Sequence, residues 1–208
     1  MKIIDCEQGS SKWFTARCGV VTASEIDALV TPSFAPRKGQ GVETYLYRKL
    51  AEKVMGYSQE SLNTFNMSQG QIVEKIARPW YAFDQGVKVD TVGFCLSDDR
   101  RCGASPDGLV GEDGGLEIKA PTPPVHLSYL FAGKVPDDYL PQVHFSLWVT
   151  KRKWWDFVSY NTDLPPLVVR VYPDEAICAA LESVLAGFLA RLDAAHARIM
   201  EMAGKGSK

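Results

Sequence analysis

Ser105-Pro106-Asp107-Gly108-Leu109-Val110-Gly111-Glu112-Asp113-Gly114-Gly115-Leu116-Glu117-Ile118-Lys119 is the stretch on which the fold turns. Asp113-Gly114 with Gly115 reads as a hairpin turn between two short apolar runs. From Leu116 to Lys119 apolar and charged residues alternate. A period of two puts Leu116 and Ile118 on one face of a strand and Glu117 and Lys119 on the other. Asp107 stands at or just before the start of the preceding strand. The hairpin then brings Asp107 beside Glu117, with Lys119 one step along the same face. Two neighbouring carboxylates repel and call for a cation, and all-oxygen ligation suits magnesium or manganese better than zinc. A lysine beside such a cation can hold or deprotonate a water. Together these residues form a set for metal-assisted phosphodiester hydrolysis. The competing reading is a solvated hairpin with Glu117 and Lys119 on its wet face. On Glu-x-Lys alone that reading leads; the Pro-Asp-Gly upstream brings the chemical reading level with it.

The rest of the chain supplies a frame for that hairpin. At 208 residues one domain is the default, and an apolar content of 46% is enough for a full core. The expectation is a single unit over 1–203, with its centre at about 66–160, a C-terminal helix at about 173–203 and a tail at 204–208. No run of eighteen apolar residues is present, so no membrane span is expected. No basic segment followed by an apolar one opens the chain, so no signal peptide is expected either. Five scattered cysteines, at 6, 18, 95, 102 and 178, form no Cys-x-x-Cys pair. They suggest neither a disulfide framework nor a zinc knuckle, and a reducing cytoplasm fits them. A net charge of −2 argues against a broadly basic nucleic-acid coat but permits a local basic channel. Arg37-Lys38, Arg100-Arg101 and Lys151-Arg152-Lys153 are the candidate patches, although such a run is more often just a solvated loop.

In order along the chain, Ser10-Ser11 caps a first helix on which Trp13 and Arg17 share a face. Thr22-Ala23-Ser24-Glu25 opens a second, with Ser24 in its first turn, where free N–H groups favour an anion within reach of Arg17. The plainer reading is that Ser24 only caps and Arg17 only pairs with an acid. A Pro- and Gly-rich loop at 31–40 carries Phe34, Arg37 and Lys38, which could touch a nucleic-acid strand by stacking and charge. Helices are expected over 42–55 and over 68–83. On the second, Glu74 and Arg78 lie four apart, as a surface ion pair or with Glu74 as an outer acidic ligand of a metal. Residues 87–97 alternate as strand. Pro121 to Pro124 ends the sheet, since proline cannot continue a ladder. A helix at 125–132 and a mixed-face helix at 139–150 follow. The latter places Gln142 on a wet stripe or against a substrate and carries a structural His144. Strands are expected at 154–161 and 167–172. A helix at 173–202 then carries an apolar stripe from Ile177 through Leu181, Leu185, Phe188 and Leu192 to Ile199 and Met202.

Laid out this way, the chain resembles the phage lambda exonuclease family, also called YqaJ-like, of the Pro-Asp…Glu-x-Lys nuclease superfamily. The likeness spans about residues 8–160. Three segments carry it in the family's order: Gln8-Gly9-Ser10-Ser11-Lys12-Trp13-Phe14-Thr15-Ala16-Arg17 with Gly19 and Thr22-Ala23-Ser24; Gly70 with Glu74 and Ala77-Arg78; and Ser105-Pro106-Asp107-Gly108 with Glu117-Ile118-Lys119, followed by Tyr139-Leu140-Pro141-Gln142. One segment is weak; three in order make a chance match improbable.

The resemblance implies an α/β fold with a restriction-endonuclease-like core, a mixed central β-sheet flanked by α-helices. It implies that Asp107, Glu117 and the Ile118 carbonyl bind Mg²⁺, with Mn²⁺ a possible substitute. Lys119 would orient and activate the attacking water, Glu74 would enter the site through a water, and Gln142 matches the family's active-site glutamine. Arg17, Ser24 and Ser105 match positions that hold a terminal 5′-phosphate. The implied reaction is processive 5′→3′ hydrolysis of one strand of double-stranded DNA with a 5′-phosphate end. It would release mononucleotides and leave 3′ single strands for recombination with a single-strand annealing protein partner. A homotrimeric ring around the DNA is implied as well. The alternatives are an endonuclease of restriction or repair type, which has no terminal phosphate to hold, and a catalytically silent DNA-binding or assembly protein.

Overall fold

The computed structural model describes residues 1–58 and 64–205. From the N-terminus the chain forms β1 (Lys2–Ile4), α1 (Ser11–Arg17), β2 (Val21–Thr22), a 3-10 helix (Ala23–Ala28), α2 (Gln40–Met55) and α3 (Thr64–Asp84). Five strands follow: β3 (Val89–Asp90), β4 (Phe94–Leu96), β5 (Cys102–Ala104), β6 (Gly108–Val110) and β7 (Gly114–Lys119). The chain continues through α4 (Pro123–Ala132), a 3-10 turn (Asp137–Tyr139), α5 (Leu140–Thr150), β8 (Trp154–Ser159), β9 (Leu167–Val171) and α6 (Glu175–Lys205). A five-stranded sheet in the order β3-β6-β7-β8-β9 is mixed, with β7 and β8 parallel and the other pairs antiparallel. Beside it lies a smaller sheet in the order β1-β4-β5-β2. The mixed sheet flanked by helices is the expected restriction-endonuclease-like core, and the second sheet is an addition to it.

The hairpin forms, with its turn two residues earlier than the glycines suggest. Gly108 pairs with Leu116 and Val110 with Gly114. The turn is therefore Gly111-Glu112-Asp113, and Gly111 supplies the positive φ of 54°. Gly114 and Gly115 are strand residues for a different reason. A Cβ on either would stand 2.2 Å from the Trp154 ring or 2.1 Å from the Trp155 ring on the neighbouring strand. Glycine is there to admit two indoles, not to turn the chain.

Leu116 and Ile118, 0% and 3% exposed, pack with Ala77 and Tyr81 of α3 and Val158 of β8. Each such burial is worth about 1.5–3 kcal/mol. A one-residue slip would lose both and push Glu117 and Lys119 into that core, so the register is strongly specified. On the other side α5 wedges between two apolar clusters. Its Val143 and Leu147 meet Leu109, Trp155 and Phe157. Its Phe145 and Val149 meet Leu46 of α2 and Leu181, Leu185, Phe188 and Leu192 of α6.

The fully buried side chains of α6 run from Leu181 to Leu192. Ile199 and Met202, expected on the buried stripe, are exposed, whereas Leu181, Leu185, Phe188 and Leu192 are buried against α2 and α5. The helix continues to Lys205, beyond the expected start of the tail, and residues 206–208 lie outside the described residues. No helix among the described residues is long and apolar enough to cross a membrane. All five cysteines carry free thiols.

Candidate active site

At the open end of the β6–β7 hairpin the chain brings Asp107, Glu117 and Lys119 together, as the period-two reading requires. The Asp107 N–H donates to the Leu116 carbonyl at 3.0 Å. Asp107 Oδ2 accepts the Ile118 N–H at 2.5 Å. Glu117 Oε1 receives both the Lys119 ammonium at 2.7 Å and the Gln142 amide at 2.6 Å. Gln142 thus faces the carboxylate and not a wet stripe. The Tyr139 ring lies against the Lys119 ammonium, 5.1 Å from its centroid.

Asp107 and Glu117 are 8% and 4% exposed. Burial pushes the Asp107 carboxyl well above its ordinary range, and the charges of Glu117 and Glu74 push it further, against the Ile118 N–H and Lys119. Glu74, half-buried on α3, is raised by burial and by Glu117 and lowered by Arg78, whose guanidinium is 3.9 Å away. Burial alone would lower Lys119, but the Glu117 carboxylate and then Asp107 hold it above its usual value. Lys119 is therefore a firm cation here, suited to hold a water or offset negative charge.

Arg17, Ser24 and Ser105 come together on the other sheet. Arg17 is 6% exposed, and its guanidinium lies 4.2 Å from the centroid of the Trp13 ring. It reaches Ser24 Oγ at 3.3 Å, Thr22 Oγ1 at 3.5 Å and Ser105 Oγ at 3.5 Å. The helix expected to open at Thr22–Glu25 does so with Ser24 in its first turn, but it is a six-residue 3-10 helix, Ala23–Ala28. The pocket wall includes a buried ionic cluster that the sequence reading missed. Glu25 accepts from Thr22 at 2.9 Å and pairs with Lys49 at 2.9 Å and Arg48 at 2.7 Å. Lys49, 1% exposed, also pairs with Glu52, which accepts the Gly19 N–H. The signal was the i, i+3 spacing of Lys49 and Glu52 on α2, which sequence alone cannot tell from a surface pair.

The 31–40 loop behaves differently from the expectation of a strand-contacting tip. Phe34 is 9% exposed and sits edge-on to His144, with ring centroids 5.3 Å apart. It is a core residue, turned inward by a positive φ of 61°. Arg37 donates Nε–H to the Asp27 and Val30 carbonyls at 2.6 and 3.1 Å, which ties the loop down. It still lines a cavity of about 330 Å³ with Ser24, Tyr139 and Gln142. Lys38 is exposed beside it. Two other basic patches are largely structural. Arg101 reaches the Leu189 carbonyl and Asp193 of α6. Arg152 turns inward and donates Nη1–H to the carbonyls of Gly111 at 2.8 Å and Gly114 at 2.7 Å, pinning the hairpin turn.

The site's donors suit a hard divalent cation. Among the described residues no group of three or more His, Cys, Asp and Glu side chains forms a closed cage. Magnesium, however, keeps several waters and takes only one or two carboxylates. The Lys119 and Gln142 donors both use Oε1 of Glu117, and the Ile118 N–H uses Oδ2 of Asp107, so each carboxylate keeps a second oxygen for a cation. The Ile118 N–H points to the Asp107 side, and in a strand the C=O of the same residue points the same way.

This mixed sheet, with Pro-Asp leading into β6 and Glu-x-Lys on its central strand β7, places the molecule in the restriction-endonuclease-like class. Residues 12–153, more than half of the chain, match the YqaJ-like viral recombinase domain, and the chain belongs to that family. An alkaline exonuclease from Laribacter hongkongensis, LHK-Exo, is similar over 94% of this chain and 99% of its own, at 32% identity and a TM-score of 0.83. The structure of LHK-Exo in complex with dAMP superposes equally well, with a TM-score of 0.83 at 33% identity over the same shares of both chains. A phage-related exonuclease from Haemophilus somnus 129PT shares the fold at 12% identity and a TM-score of 0.64, over 86% of this chain and 96% of its own. No curated protein matches the chain. Family and neighbours together support an exonuclease of phage type.

Proposed function

We propose that this protein is a magnesium-dependent 5′→3′ exonuclease. It degrades one strand of duplex DNA from a 5′-phosphorylated end and releases mononucleotides. The observation that carries this reading is the second site. A guanidinium and two hydroxyls converge at Arg17, Ser24 and Ser105, and Ser105 is only two residues from Asp107. An endonuclease has no terminal phosphate for such a pocket to hold. A relative described as an exonuclease, solved with a nucleoside monophosphate, agrees with it.

Asp107, Glu117 and the Ile118 carbonyl would hold the magnesium ion, or manganese in its place, with Glu74 contributing through a water. When bound, the ion polarises the scissile phosphate and lowers the pKa of a coordinated water. Lys119, kept cationic by Glu117, orients the attacking water and offsets charge on the phosphorus oxygens. Gln142 fixes the rotamer of Glu117 through Oε1, so that its other oxygen keeps a constant direction. Arg17, Ser24 and Ser105 bind the terminal phosphate and favour forward movement after each cut. The protein works as a homotrimeric ring around duplex DNA in the cytoplasm of a bacterial host, and hands its 3′ single strand to an annealing protein. Encirclement supplies processivity without a strongly basic surface, which accords with the net charge of −2.

The deciding experiment is degradation of linear duplex in magnesium, with label at one 5′ or one 3′ end, alongside 5′-hydroxyl and closed circular substrates. Rapid release of 5′-labelled mononucleotide with circles untouched is expected. Cutting of circles would replace this reading with an endonuclease. Absence of cleavage with any divalent metal would leave a DNA-binding or assembly role. Sedimentation is expected to give three times the chain mass, and a monomer would remove the ring.

A further inference from the structure

Ser105, Pro106 and Asp107 form the link between the two sheets, since β5 ends at Ala104 and β6 begins at Gly108. Each of the three is held by a side chain from a different part of the fold. Trp13 of α1 donates its indole N–H to Ser105 Oγ at 2.8 Å. Gln8, from the segment before α1, donates to the Pro106 carbonyl at 2.9 Å and to the Val92 carbonyl at 3.1 Å. Arg78 of α3 donates Nε–H to the Asp107 carbonyl at 2.6 Å. Proline fixes φ at the middle position, and Pro106 and Asp107 are both buried. The bracing also sets a proton. Ser105 Oγ receives Trp13 on one side and the Arg17 guanidinium at 3.5 Å on another, so its own O–H is left to donate outward.

Under the proposed function, on which this inference rests, Ser105 grips the terminal phosphate and Asp107 marks the cleaved bond. Two residues of extended chain span at most roughly 7 Å, the reach of a single sugar–phosphate unit. Slack in this link would let the bond presented to the carboxylates vary relative to the gripped end. We infer that the braced tripeptide Ser105-Pro106-Asp107 is the ruler that sets the product at one nucleotide. Gln8, Trp13 and Arg78 act as positioning residues for it.

The test is product length. Pro106→Gly, Gln8→Ala and Gln8→Glu are each mixed with a 5′-phosphorylated, internally labelled duplex in magnesium, and early products are resolved by size. The parent is expected to release mononucleotides. Each variant is expected to release several-fold more dinucleotide. Glutamate fills the same space as glutamine but donates to neither carbonyl, so Gln8→Glu should behave like Gln8→Ala. Slower variants that still release only mononucleotides, with their 5′-phosphate preference intact, would overturn the ruler and leave the proposed function standing. Rescue by Gln8→Glu would reduce Gln8 to packing and overturn its role. A parent that uses 5′-hydroxyl ends equally would overturn the proposed function and the ruler with it. If Pro106→Gly does not fold, the two Gln8 variants decide, since they keep the proline.

Discussion

The carboxylate site and the Arg17 pocket sit side by side, but they are built in opposite ways. The first is a local device. Asp107, Glu117 and Lys119 lie within thirteen residues, on one hairpin whose register is fixed by burial of Leu116 and Ile118. The second is assembled from α1, the 3-10 helix and the end of β5, and is backed by an ionic cluster on α2. A local device needs only strand periodicity to place its groups, so its function is sensitive to chemistry. An assembled pocket depends on the fold behind it, so its function is sensitive to support.

That contrast can be broken most sharply at Lys119. Lys119→Ala is expected to lower cleavage of duplex DNA by about 100-fold or more, the scale of losing a positioned proton-handling group. Duplex binding, followed by fluorescence anisotropy, should be retained. Normal turnover would remove the lysine from the mechanism. The support side of the contrast is probed at Lys49. Lys49→Met leaves Glu25 and Glu52 buried without their shared cation, and breaking such a pair costs about 3–5 kcal/mol. Urea unfolding should show that loss, together with a weakened phosphate preference. A change under about 1 kcal/mol would mean that Arg48 alone satisfies Glu25.

A smaller effect is expected at the ligand. Arg17→Ala removes charge-assisted hydrogen bonds worth about 1.5–3 kcal/mol. The rate ratio between 5′-phosphate and 5′-hydroxyl ends should fall roughly tenfold to a hundredfold. Arg17→Lys should recover only part of it, because an ammonium lacks the fork. An unchanged ratio would place the pocket elsewhere.

The smallest effect concerns stability against pH. The Asp107 carboxyl is held above its ordinary value by burial, then by Glu117 and Glu74. Its contribution to folding is therefore present below the unfolded carboxylate pKa of about 4 and is lost as pH rises through the raised folded value. Asp107→Asn keeps the acceptor for the Ile118 N–H and removes a charge. In metal-free buffer at about pH 8 it should melt above the parent, with the gap closing toward acid pH. Magnesium should raise the melting temperature of the parent alone. Equal melting curves at the alkaline end would show that the carboxylates do not strain one another.

What was legible in the sequence follows the same division. Alternation from Leu116 to Lys119 was sufficient to pair Glu117 with Lys119 and set Asp107 beside them, because a strand has one period and a buried face admits one register. Other readings failed where a residue's neighbour lies far along the chain. Gly114 and Gly115 read as a turn, since only the sheet shows the Trp154 and Trp155 rings that require them. Phe34 read as a surface contact, since its partner His144 is on α5. Arg152 read as a basic patch, since the carbonyls it pins belong to a turn about forty residues away.

The sequence by itself put two carboxylates and a lysine on one hairpin and Arg17 within reach of Ser24; Ser105 joined that pair only through the family resemblance. Only the tertiary structure decided how far apart the two sets stand and what holds them there. Local spacing is set by covalent geometry and backbone period, which each short segment carries with it. The distance between sites is set by packing of two sheets against α3 and α5 and by donors from Gln8, Trp13 and Arg78, and that exists only once the whole chain has folded.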